Sequence, residues 1–255
     1  QGLYTITNGS SSNYNALQVK YQQTLHHGLQ ILGSYTWSHA IDNATSNFVL
    51  DYLERADSSN DIRHNGQVTV TYSIPGVGSG FTRALTKDWG VDSRVSARSS
   101  LPVDITTGDT VVVNGSRFSY RPSRVSGQPL YLSDANSPGG RKINYDAFVA
   151  ATDSLGNPVE GNIGRNYARA FNAVQTDIAV RRDLKLYERL NAQFRLEAFN
   201  VFNHPIFGNV YNQLSYGPGF FGQASNLQNS QLGGLNSLYQ SGGPRSLQAS
   251  VKVHF

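Results

Sequence analysis

Cysteine and methionine are both absent from the 255 residues. Without cysteine there is no disulfide framework, no thiolate metal site and no thiol nucleophile. Without methionine there is no initiator residue, and no charged segment followed by an apolar core marks a signal peptide. The chain therefore reads as a piece of a longer protein. No run approaches 18 apolar residues, which excludes a helical membrane span. Charge is scarce too, at 15% of residues, against about 25% in ordinary soluble domains. Gly, Tyr, Phe, Asn, Gln and Ser fill the difference. That mixture suits strands with one apolar face and one neutral polar face. The pI near 9.3 is basic, but Lys and Arg are scattered singly, so no nucleic-acid partner is expected.

What is present is alternation. From Ser246 to Phe255 every odd position is apolar and every even one polar, the period of a strand with two unlike faces. Soluble strands usually stop after about 5–6 residues, whereas a tilted bilayer-spanning strand needs about 9–11. The same pattern recurs upstream. Leu17, Val19, Tyr21 and Leu25 oppose Gln18, Lys20, Gln22 and Thr24. Leu29, Ile31, Tyr35 and Trp37 oppose Gln30, Ser34 and Thr36, with Leu32 the misfit. Val68, Val70, Tyr72 and Ile74 oppose Gln67, Thr69, Thr71 and Ser73. Trp89, Val91, Val95, Ala97, Leu101 and Val103 form the next apolar face. Val174, Ile178, Val180 and Leu184 precede a turn over Lys185 to Arg189. Leu190, Ala192, Phe194, Leu196, Ala198 and Phe202 follow it.

This predicts an all-β chain: about seven long antiparallel strands of a transmembrane barrel, occupying residues 1–255. His26-His27-Gly28 reads as a tight turn and Gly76 to Gly80 as a flexible one. The segments from Asp42 to Asn60, Thr106 to Phe171 and Asn203 to Pro244 read as irregular. Short and long connections thus alternate, as periplasmic turns and extracellular loops do in outer-membrane barrels, with outer-membrane lipid as the first partner. Seven strands leave two open edges, which hydrocarbon does not tolerate, so this would be the C-terminal part of a larger barrel.

The charges fall on the polar faces. Lys20, Asp92, Arg94, Arg98, Asp177, Arg181, Arg195, Glu197 and Lys252 are expected toward the lumen, since a cation at the lipid midplane costs about 2–4 kcal/mol. Most should pair across strands; some could touch a plug or a substrate. Tyr35, Trp37, Trp89 and Phe202 read as strand-end aromatics of an interfacial girdle. His39 and His64 read as interface polar residues at the loop side. Gly76-Val77-Gly78-Ser79-Gly80 lacks the Lys-Ser/Thr of a phosphate loop, and no G-x-S-x-G elbow occurs. Asp51 and Glu54 show no partner that would make them catalytic. No enzyme activity, cofactor or metal is expected. Leu247, Ala249, Val251, Val253 and Phe255 read as an assembly signal for the outer-membrane barrel-assembly machinery.

Several segments also resemble a known family. Glu188 to Pro205 contains Arg195-Leu196-Glu197-Ala198-Phe199-Asn200-Val201-Phe202-Asn203-His204, similar to the R-x-E-x-F-N-x-F-N-H segment of Oar-like TonB-dependent receptors. Gly164-Arg165-Asn166 precedes that hairpin. Tyr14-Asn15-Ala16-Leu17-Gln18 with Ser34 to Asp42 resembles the family's Y-N-A-L-Q hairpin. Glu54-Arg55-Ala56-Asp57 with Asp61-Ile62-Arg63-His64 resembles its E-R-x-x-S-x-x-D-x-R-H junction, and Pro244-Arg245 also fits. The resemblance implies a 22-stranded barrel around an N-terminal plug, with uptake of a large extracellular substrate driven by the TonB complex. Plug and TonB box do not lie within these residues. A surface-binding or adhesive β-protein without transport is the alternative.

Overall fold

The computed structural model describes residues 10–25, 28–43, 54–113, 116–187, 190–228 and 242–255. Seven long strands dominate: β1 (Ser12–Thr24), β2 (Leu29–Asp42), β3 (His64–Ile74), β4 (Trp89–Arg98), β5 (Ala173–Lys185), β6 (Asn191–Phe199) and β7 (Ser246–His254). They run from 9 to 14 residues, the length a tilted strand needs to cross a bilayer. All pair antiparallel with their sequence neighbours, so the sheet order is the chain order. β1 and β7 are the two sheet ends.

The register aligns the apolar phases of all seven strands. Leu17 lies opposite Trp37, and Val19 opposite Tyr35. Ile31 lies opposite Val70, Tyr72 opposite Val91 and Val91 opposite Val180. Val180 then faces Leu196, and Phe194 faces Val251. A one-residue slip anywhere would turn a strand's apolar set onto the other face. Instead one mainly apolar face runs from β1 to β7, interrupted by Ser93 and Arg182, and much of it is exposed.

The connections follow the predicted short–long alternation, with four corrections. Gly76 to Gly80 is no mere flexible turn, because it leads into a short helix, α1 (Gly80–Thr86). β4 stops at Arg98: Leu101 lies beyond it, and Val103 joins a separate two-residue strand. β2 continues five residues past Trp37 to Asp42, so Trp37 and Tyr35 sit within the strand rather than at its end. β6 ends at Phe199, leaving Phe202 exposed in the turn beyond.

The largest difference is in the long loops. The stretch from Thr106 to Phe171 is not structureless. It carries hairpins pairing Thr110–Val113 with Ser116–Ser119 and Tyr131–Ser133 with Arg141–Ile143. Two further ladders join Ser123–Arg124 to Phe148–Val149 and Pro102–Val103 to Ala168–Arg169. The hydrophobic core sits here, built from Val103, Ile105, Ile143, Ala147, Phe148, Ile163, Ala168 and Ala170, with Leu214 and Phe221 supplied by the last long loop. Among buried apolar residues the long strands contribute Ala173, Ala179, Ala192 and Phe199. A single-layer sheet has no second layer to pack against, so its apolar face stays open while the loops bury their own. Each large side chain so buried contributes about 1.5–3 kcal/mol, which offsets the ordering of the loops.

Backbone bonds knit the two long loops together: Leu214 N–H donates to Thr106 O at 2.9 Å, and Ile143 N–H to Gly222 O at 3.1 Å. Gly222 is required there. Its φ is +80°, and a Cβ would lie 2.2 Å from the Ile143 oxygen.

Candidate functional site

The polar face of the sheet gathers six of the nine sequence-predicted lumen residues; Lys252, exposed on β7, is not among them. Asp92 on β4 faces Ala179 on β5, which in turn faces Glu197 on β6. Arg181 Nη1 donates to one carboxylate oxygen of Asp92. Arg195 Nη1 donates to the other at 2.5 Å and pairs through Nε with Glu197 at 3.0 Å. Asp177 stands opposite Arg94 and accepts bonds from Gln175 Nε2 at 2.8 Å and from the Asn200 N–H at 2.9 Å. Arg94 donates to Gln67 Oε1 at 3.3 Å. Asp92, Arg94, Asp177, Ala179, Arg195 and Glu197 border a cavity of about 220 Å³. Arg98 lies further toward the loops, donating to Gln228 Oε1 at 2.8 Å. Lys20 is exposed on β1 and does not join the cluster.

A second constellation sits where β2 and β3 meet the loops. Asp61 is fully buried, at 0% exposure. One carboxylate oxygen accepts from the Ala40 N–H at 2.6 Å and pairs with His39 Nδ1 at 3.2 Å. The other accepts from Arg63 Nε at 2.7 Å and Arg169 Nη2 at 2.6 Å. Burial opposes ionisation of this carboxyl, but the Ala40 N–H, Arg169, His39 and Arg63 outweigh it and hold its pKa at about 2. Asp57 pairs with the same two arginines.

His39, Asp57 and Asp61 come close enough to suggest a metal site. The donor set argues otherwise: both carboxylates are already bound by Arg63 and Arg169, and a cation would have to displace them. This is a structural ion-pair network.

The remaining motif residues interlock with it. Arg165 donates to the Asp42 carboxylate at 2.5 Å and to its backbone oxygen at 2.8 Å. Its own N–H reaches Glu54 at 2.8 Å. Asn166, at φ +58°, donates through Nδ2 to the Asp57 carbonyl at 2.7 Å. Glu54 thus has partners that the sequence did not reveal, Arg121 at 3.1 Å among them. Arg121 is buried between Glu54, Asp104 and Glu160. At the other loop, Asn200 (φ +48°) donates to the His204 and Gly243 carbonyls, both at 2.9 Å, and accepts from the His204 N–H. Asn203 Oδ1 accepts from the Arg245 N–H at 3.0 Å. Apart from Tyr14 to Gln18, which lies within β1, the segments that carry the family resemblance therefore supply clasps that pin long loops to strand ends. Alternation is blind to clasps between residues more than 100 positions apart, and the motifs mark the residues without their partners.

His64 Nδ1 bonds Tyr35 Oη at 2.7 Å, with the rings stacked. His26, His27 and Asp51 lie outside the described residues. Among the described residues His39 is committed to Asp61 and Ser38 Oγ donates to the Ile62 carbonyl at 2.6 Å, so this junction presents no free Ser–His pair.

Comparison with known proteins adds one match. A family model described as "Outer membrane beta barrel domain" covers residues 1–248. No curated protein and no solved structure matches the chain.

Proposed function

The chain belongs to the outer membrane beta barrel domain family, and from that premise we propose that it forms one arc of the wall of an Oar-like TonB-dependent receptor. It lies in the outer membrane. In this reading the apolar face meets lipid, and the charged face lines the lumen, where Arg94, Arg181 and Arg195 oppose Asp92, Asp177 and Glu197. The open edges of β1 and β7 continue into further strands of the same barrel, because unpaired N–H and C=O groups in hydrocarbon each cost several kcal/mol. The larger barrel encloses a plug, couples to the TonB complex and takes up a large extracellular substrate. The protein is not an enzyme. Its terminal strand, from Leu247 to Phe255, engages the barrel-assembly machinery.

The observation that carries the proposal is the meeting of the resemblance motifs. Glu54, Asp57, Asp61, Arg63, Arg165 and Asn166 come from two distant segments and assemble one clasp. A clasp of this kind gives each motif residue a reason to occur in a receptor whose loops are held rigidly over a barrel mouth. One feature favours surface adhesion instead: the loop layer has its own core and could grip a partner unaided. Retention of the full-length, membrane-folded protein on immobilised periplasmic domain of TonB separates the two. Specific retention, lost when the N-terminal plug region is deleted, is expected. Its absence would leave adhesion as the better reading.

A further inference from the structure

α1 breaks the pattern of short turns at its end of the barrel. At seven residues it is too short to hold itself together in water. Two residues of the sheet's apolar face hold it instead. Trp89 Nε1–H donates to the Leu85 carbonyl at 2.8 Å, and Arg182 Nη2 donates to the Ala84 carbonyl at 2.8 Å. Thr86 Oγ1 also ties back to Val77, accepting from its N–H at 3.0 Å.

The helix is amphipathic. Phe81 and Leu85 lie four residues apart, on one side, and both are exposed, as is Val77. Arg83 and Lys87 instead border a cavity of about 500 Å³, with Ser73, Trp89, Arg181 and Asp183. Phe81 and Leu85 do not line that cavity.

Arg182 is the cation out of place. Its neighbours across the register are Trp89 and Phe194, so it stands in the apolar phase of β5. It stacks 5.1 Å from the Trp89 ring centre, and its Nε is buried without an acceptor. A cation on an apolar strand face, against Trp and at the strand's end, marks a membrane–water boundary.

We propose that α1 is a membrane-surface anchor: Val77, Phe81 and Leu85 enter the periplasmic leaflet of the outer membrane, and Arg182 binds the phosphate of a phospholipid head group there. The occupant follows from continuity. The stripe on α1 extends the lipid-facing surface of β3, β4 and β5 through the Trp89–Leu85 bond. The choice of leaflet rests on the orientation in the reading above. The anchor lengthens the hydrophobic contact of this sector without lengthening its strands.

The test uses full-length protein folded into phosphatidylcholine vesicles with and without phosphatidylglycerol. Phe81→Cys, in a background with no other thiol, carries an environment-sensitive label; Leu155→Cys, at an exposed loop tip, is the aqueous control. Lipid bearing a quencher near the head group should quench the label at 81, and aqueous iodide the label at 155. Val77→Cys repeats the measurement should Phe81→Cys fold poorly. Arg182→Gln should weaken the phosphatidylglycerol dependence of that quenching about fivefold, the worth of one cation at an anionic surface. Arg83→Gln, facing the cavity, should leave it unchanged. Iodide quenching at 81 as strong as at 155 would overturn the anchor. So would a response to inorganic phosphate in detergent equal to that in vesicles, which would make the site one for free anion. Sidedness is read separately, with a membrane-impermeant thiol reagent on intact cells: 155 should react and 81 should not. Reaction at 81 alongside normal lipid quenching would overturn the orientation and the leaflet assigned with it.

Discussion

Replacing Asp61 by Asn should loosen the loop layer without unfolding the sheet. The carboxylate accepts four bonds, two at each oxygen, from Ala40, His39, Arg63 and Arg169. Asn is nearly isosteric, but one of its two ends is a donor. Whichever way the amide turns, a donor then meets donors, and two of the four bonds are lost. The lowering of the Asp61 pKa from 3.8 to about 2 corresponds to about 2 kcal/mol of preference for the ionised form. Removing one partner of a buried ion pair typically costs about 3–5 kcal/mol. The first figure counts only the charge; the second includes the groups left unpaired. The expected loss is thus about 3 kcal/mol, felt locally, since the ladder from β2 to β3 is untouched. Amide exchange of Ala40 and Asn166 in the vesicle-folded protein measures it, and both should speed by about two powers of ten at 1.4 kcal/mol each. The pH dependence has a definite sign. A depressed pKa stabilises the folded state fully above the unfolded value of 3.8, and the gain is lost as pH falls through about 2. Protection in the wild type should therefore hold at pH 4 and fall below it, while the Asn variant shows no such step. Unchanged exchange at neutral pH would refute the view that this network holds the loop.

The two faces of β5 should respond differently to charge. Val180→Arg places a cation on the apolar face and should cost about 2–4 kcal/mol in refolding titrations, whereas Ala179→Arg lands between Asp92 and Glu197 beside a cavity and should cost much less; equal costs would mean that the apolar face does not meet lipid. Asn200→Ala should lose about 2 kcal/mol by orphaning the His204 and Gly243 groups. Asn200→Gly, which tolerates the φ of +48°, should lose less by urea titration; the reverse order would remove the strain argument. Phe255 is 96% exposed just beyond β7. Deleting it should therefore cost about 1–2 kcal/mol of intrinsic stability at most yet strongly reduce surface levels, and normal levels would make the last strand an ordinary edge.

The strands were legible because two different environments act on the two faces of one sheet. Each residue of β5 from Val174 to Leu184 must satisfy one environment or the other, and the result is a period of two that needs no partner to be read. Arg182 breaks that period. Read from the strand alone it is an error of phase; it makes sense only beside Trp89 and the Ala84 carbonyl, which come from other elements. Strand ends were harder to place. β2 runs on past Trp37 because Ala40 to Asp42 pair with Ser12 to Tyr14 and with the short strand Ala56–Asp57, and no apolar alternation marks that extension.

The loop layer was illegible for a different reason. Its core residues come one at a time: Ile105, Ile143, Phe148, Ile163, Leu214 and Phe221 are separated by Gly, Pro and Asn, and no run among them has a period. What brings them together is long-range polar bonding, and that bonding falls on the segments with a family resemblance. The Glu54-to-His64 segment looked like a sequence signature without chemistry, because its carboxylates find their distant partners in the Arg121 and Arg169 side chains and the Arg165 backbone N–H. In a barrel arc the apolar residues report only which side of the sheet they face, since lipid and lumen accept many residues of the right class. The specific information lies in the charged residues at the strand–loop border, where each has a particular partner and a conservative change such as Asp61→Asn removes the bond while preserving the shape.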